Sequence, residues 1–73
     1  MPYHVLTAES AIRVGIINEK WEDVIPHAAT EEALRAAAQS SHASFRAAEF
    51  AALSSGNDCW VVGPDGQAQW IPQ

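Results

Sequence analysis

Four side chains of this 73-residue chain are natural metal ligands: His4, His27, His42 and Cys59. Structural zinc sites draw on close pairs such as C-x-x-C or H-x₃-H, and these four make none, so neither a metal nor a cofactor is expected. Cys59 as a nucleophile needs a nearby base and electropositive surroundings. Next to Trp60 and Val61 on a strand, it reads instead as a small buried hydrophobe. Ser10, Ser40, Ser41 and Ser44 have no nucleophile-elbow context. Glu22 and Asp23 could pair as general acid and base, but adjacent loop acids with no apolar pocket around them keep ordinary roles in solvent. Gly56, Gly63 and Gly66 are turn glycines without phosphate-loop spacing. The expectation is a protein that is not an enzyme.

The larger apolar residues carry a different kind of chemistry. Trp21, Trp60 and Trp70 do not all fit one small core beside an alanine-rich segment, and Trp70 is the core choice. Phe50 and Leu53 fall outside the apolar stripe of their helix. Exposed apolar surface marks a partner site, so Phe50, Leu53, Trp60, Val62 and Trp21 are the candidate partner-binding residues. The plainer reading is that Trp60, Phe50 and Leu53 close the core at the end of the helix.

Composition sets further bounds. The length gives a single domain, 1–73, near the lower limit for a self-sufficient core. Net charge is −5, and the four basic residues, Arg13, Lys20, Arg35 and Arg46, are scattered. Phosphate contacts need clustered Lys and Arg, so no nucleic-acid partner is expected. A lone cysteine precludes an internal disulfide, in keeping with a reducing compartment. There is no signal-peptide pattern and no apolar run of about 18 residues, so the expectation is a cytoplasmic protein without a membrane partner.

The elements that must position these residues centre on Thr30–Ser55. Thr30 suits an N-cap, Glu31 and Glu32 complement the helix dipole, nine alanines from Ala33 to Ala52 favour helix, and Gly56 suits a left-handed stop. One long helix is expected, with Leu34, Ala38, Phe45, Ala48 and Ala52 as its core spine. Serine favours caps over helix interiors, so a break at Gln39-Ser40-Ser41, with Ser41 capping a second helix, is the alternative.

Before that helix, the alternation of Tyr3, Val5 and Thr7, and of Ile12, Val14 and Ile16, predicts an N-terminal hairpin. A helix over Glu9–Asn18 competes with its second strand. Asn18-Glu19-Lys20 reads as a turn, and Trp21–Ile25 as a possible third short strand ahead of Pro26. After the helix, Cys59–Val62 and Gln67–Ile71 flank Gly63-Pro64-Asp65-Gly66, a hairpin with a type I turn and a bulge. Pairing Val62 with Gln67 would put Cys59, Val61, Ala68 and Trp70 on the helix-facing side.

The fold class is therefore α+β, with a single sheet packed on one helix. The function expected is a small non-enzymatic protein-interaction module that self-associates as a homodimer. One rival is an acidic inhibitor or DNA mimic aimed at a basic protein. A third is a binder of small apolar ligands with its pocket between subunits. A patch around Trp60 would favour association, whereas a contiguous acidic stripe would favour mimicry.

Overall fold

The computed structural model describes residues 2–24 and 30–73. The first alternating stretch forms β1 (Tyr3–Thr7), but the second is not its hairpin partner. Thr7 ends the strand and caps α1 (Ala8–Val14), its hydroxyl oxygen accepting from the Ser10 amide at 3.2 Å. Gly15 closes α1 at φ 84°, and its N–H donates to the carbonyls of Ala11 and Ile12. A helix forms here, as in the competing reading, but it ends at Val14 and does not reach Asn18. A cap at each end, with Glu9 in the first turn and Arg13 in the last, outweighs the strand preference of Ile12 and Val14.

The expected third strand at Trp21–Ile25 does not form over its described part. Ile17 and Asp23 make one isolated antiparallel bridge, and Trp21 sits at φ 64°, outside strand geometry. Ile25, and the lead-in His27-Ala28-Ala29, lie outside the described residues.

The long helix is also corrected. The Thr30 cap is present, its hydroxyl oxygen accepting from the Ala33 amide at 3.0 Å, but α2 (Glu31–Ala37) stops at Ala38, which turns extended at ψ 144°. The Gln39 N–H then donates to the Val5 carbonyl at 2.8 Å, and β2 (Ser40–His42) pairs antiparallel with β1. Ser44, not Ser41, caps the helix that follows, α3 (Phe45–Ser54). Serines are poor helix-interior residues, and the β1 edge offers their backbone another set of partners. Gly56, at φ 79°, fills the expected left-handed stop.

The C-terminal hairpin forms as β3 (Cys59–Val62) and β4 (Ala68–Ile71), in a register one residue from that expected. Val62 faces Ala68, not Gln67. Gly66, at φ 82°, is the extra residue of the bulge, so Gly63 closes the turn with Gln67. That single step exchanges the faces of β4. Trp60 now lies opposite Trp70, while Cys59 lies opposite Ile71.

The result is a four-stranded antiparallel sheet in the order β2-β1-β3-β4, within a small α+β fold. One face meets α3, where Val5, Cys59, Val61 and Ile71 bury against Ala48 and Ala52. The other face carries Leu6, Trp60 and Val62, buried with Ala11, Ile16, Ile17 and Leu34. The stripe expected on one helix is thus divided: Leu34 and Ala38 pack on one side of the sheet, Ala48 and Ala52 on the other. Among the described residues, no helix is long and apolar enough to cross a membrane.

Candidate functional site

Three places outside the closed core hold side chains that can do something. The first is the outer side of α3. Ala48 and Ala52 face the sheet, so Phe50, two positions from each, points away from it, and Leu53 lies roughly 120° round the helix from them. Phe50 is 72% exposed and Leu53 49%, one helical turn apart. Arg46 and Ala47 are exposed in the turn before them. These two sequence candidates are therefore brought together.

The second is a recess of about 360 Å³ lined by Trp21, Asp23, Trp60 and Trp70. Its walls are positioned by the hairpin register and by a tight loop. The register sets Trp60 against Trp70, with ring centroids 5.1 Å apart. Asn18 organises the loop: its Oδ1 accepts from the amides of Lys20 and Glu22, and its carbonyl accepts from Trp21 N–H at 2.9 Å. These bonds hold Trp21 in the left-handed region, which costs a non-glycine residue about 1–2 kcal/mol. Its ring, 46% exposed, lies edge-to-face on Trp70 at 5.2 Å. A neighbouring recess shares Asp23 and adds Val24, Asp65, Gly66 and Gln67.

Trp60 and Val62 need correction as exposed candidates. Trp60 is 4% exposed and Val62 is fully buried, because α1, α2 and the Ile16–Ile17 stretch cover the sheet face that both occupy. The indole Nε1 of Trp60 has no hydrogen-bond partner among the described residues. An unsatisfied buried donor costs about 1–3 kcal/mol. So the apolar surface lies around Phe50 and Leu53, and Trp60 contributes only to the floor of a recess.

The third place was missed from sequence. His4 is 1% exposed, and its Nε2 lies 2.8 Å from Glu31 Oε1 while its Nδ1 lies 2.7 Å from Ser41 Oγ. A carboxylate only accepts, so Nε2 donates to Glu31, and in the neutral ring Nδ1 then accepts from the Ser41 hydroxyl. Glu31 also takes a bond from Arg35 at 3.3 Å. The order serine, imidazole, carboxylate is that of an activated nucleophile. Such chemistry also needs a recess for substrate beside the hydroxyl, and three recesses among the described residues are all lined by other residues. What the network does structurally is satisfy a buried histidine while tying β2 and α2 to β1. The signal in the sequence was His4 itself, a polar residue alternating into a strand between apolar neighbours.

The remaining candidates fall singly. Cys59 is buried, with its Sγ near Ser55 Oγ and the Asn57 carbonyl. His42 bonds Ser40 at 2.8 Å. Among the described residues, no group of three His, Cys, Asp or Glu side chains is placed to hold a metal, and His27 lies outside them. Comparisons with family models, with curated proteins and with solved structures returned no match.

Proposed function

We propose that this chain is a small non-enzymatic interaction module that self-associates as a homodimer through α3. The exposure of Phe50 beside Leu53 carries the reading. The opposite side of α3 is already occupied by the sheet, so nothing among the described residues is left for these two side chains to meet. Removing a phenylalanine or leucine from water is worth about 1.5–3 kcal/mol. A second copy presents the same helix, and Ala47 lets two backbones approach closely.

Charge supports a second copy over other partners. Of nine acidic residues only Glu49 lies on α3, and Arg46 offsets it. On a chain of net charge −5 this helix is a neutral strip, where two copies meet with little repulsion. The rival expectation of a pocket between subunits has less support, since the tryptophan recess is complete within one chain.

Sedimentation velocity at tens of micromolar tests the proposal. The wild type should sediment as a dimer of the 7.9 kDa chain. Phe50→Glu and Leu53→Glu should each give monomer by placing a charge in the interface. A wild type that stays monomeric throughout would end the proposal, and a dimer untouched by both substitutions would exclude α3 as its interface.

A further inference from the structure

The tryptophan recess lies against the opposite face of the sheet from α3, and its chemistry is narrower than that of a bare apolar patch. Three indoles supply faces of negative potential, which attract a cation. Asp23 adds a carboxylate in the same recess, and Asp65 stands in the one adjoining it. The loop that presents Trp21 also carries Glu19 and Glu22. On an acidic chain, such a site selects positive charge.

The ring geometry decides which cation. Cages that enclose a quaternary ammonium hold aromatic rings apart around it. Here Trp21 touches Trp70, and Trp70 touches Trp60, at centroid distances of 5.2 and 5.1 Å. Neither touching pair leaves room for a cation between its own two rings. A flat group can still stack on one indole face while its edge meets a carboxylate, and guanidinium has both properties: a planar π-face and a fork of donors matching a carboxylate.

The surroundings point to a polypeptide source. Trp70 lies on β4, the last strand of the sheet order, and β3 is its only strand neighbour among the described residues. An extended segment can add to such an edge through backbone hydrogen bonds, delivering a side chain to an adjacent recess. Asp65, Gly66 and Gln67 line the approach along the turn before β4.

We propose that the recess binds the guanidinium of an arginine in an extended segment of a partner protein. The guanidinium stacks on the exposed indole of Trp21 and the half-buried indole of Trp70 and pairs with Asp23. The strained backbone of Trp21 is then the cost of holding an indole where the ligand arrives. This site does not depend on α3: dimer and monomer both contain it whole.

The test follows the three indole N–H resonances of the intact ¹⁵N-labelled chain by NMR. The probe is the blocked tripeptide acetyl-Gly-Arg-Gly-amide. Its citrulline and lysine counterparts and methylguanidine are titrated in parallel. The arginine peptide should shift the Trp21 and Trp70 resonances saturably, with a millimolar Kd. The citrulline peptide, isosteric but uncharged, should bind about tenfold more weakly. Asp23→Asn and Trp21→Ala should each weaken arginine binding about fivefold or more, with the rest of the spectrum preserved. Phe50→Glu should leave the titration unchanged. No saturable shift by about 10 mM peptide would overturn the proposal. Lysine or citrulline binding as tightly as arginine would overturn the guanidinium assignment. Methylguanidine binding as tightly as the tripeptide would overturn the polypeptide source in favour of a small guanidino compound.

Discussion

The two faces of the sheet solve the same burial problem with different materials. Against α3, β-branched and small side chains, Val5, Val61, Ile71 and Cys59, meet Ala48 and Ala52. Alanine lets the helix approach the sheet closely, and the layer closes. Tyr3 and Phe45 seal one side edge-to-face at 6.2 Å. Gln73 seals an end, its side-chain amide donating to the carbonyls of Ala52 and Asn57 at 3.0 Å. Against α1 and α2, the sheet presents Leu6, Val62 and the large indoles of Trp60 and Trp70. That layer leaves an open recess, a strained Trp21 and an indole N–H without a partner among the described residues. A layer of small residues closes completely and pushes its surplus apolar side chains outward. A layer of large ones keeps its surplus beside a recess. The contrast separates the two proposed surfaces: convex and neutral on α3, concave and acidic beside β4.

Substitutions can break this comparison. Leu6→Ala, in the tryptophan-side layer, should have the largest effect, lowering stability by about 2–5 kcal/mol in chemical denaturation. A cost below about 1 kcal/mol would mean that this layer is loose throughout and not only at its recess. Ala48→Leu should come next, because a closed alanine layer has no room for three more carbons. About 1–3 kcal/mol of destabilisation is expected, and a neutral or stabilising result would show that α3 does not sit tightly on the sheet.

Gly15→Ala should cost about 1 kcal/mol, since the position requires φ 84° and alanine is disfavoured there. In a domain of this size the melting temperature should fall by about 4–8 °C. Unchanged melting would question the α1 cap, and with it the positions of Ile16 and Ile17 in the tryptophan-side layer. The smallest effect is expected from chelation: melts with and without EDTA should coincide, and a large drop would reveal a metal that neither face accounts for.

Local features of the chain were legible where a residue type has one dominant use. Thr30 as a cap, Gly56 and Gly66 in left-handed geometry, and the strands β1, β3 and β4 follow from propensity and turn chemistry. The exposure of Phe50 and Leu53 also followed, because helical phase alone puts them away from Ala48 and Ala52. The errors occurred where two local signals balanced. Ile12 and Val14 favour strand, while Thr7 and Gly15 frame a helix, and burial of Ala11 and Ile16 against the sheet settled it. Asp23 was weighed only beside Glu22, without an apolar pocket; its place among the tryptophans, like the His4–Glu31–Ser41 network, was invisible because the members come from separate elements.

What the amino-acid sequence determined by itself is β1, β3 and β4, the Thr30 cap and the glycine turns, and the acidic, metal-ligand-poor character of the chain. These depend on interactions within a few residues. Tertiary structure alone decided three things: that Ser40–His42 leaves the helix to pair with β1, that the two halves of the alanine-rich segment bury on opposite faces of the sheet, and that a one-residue bulge sets Trp60 beside Trp70. Each depends on which partner a segment meets across space. A serine-rich stretch or a hairpin register has alternatives close in local free energy, and only the burial each makes possible separates them.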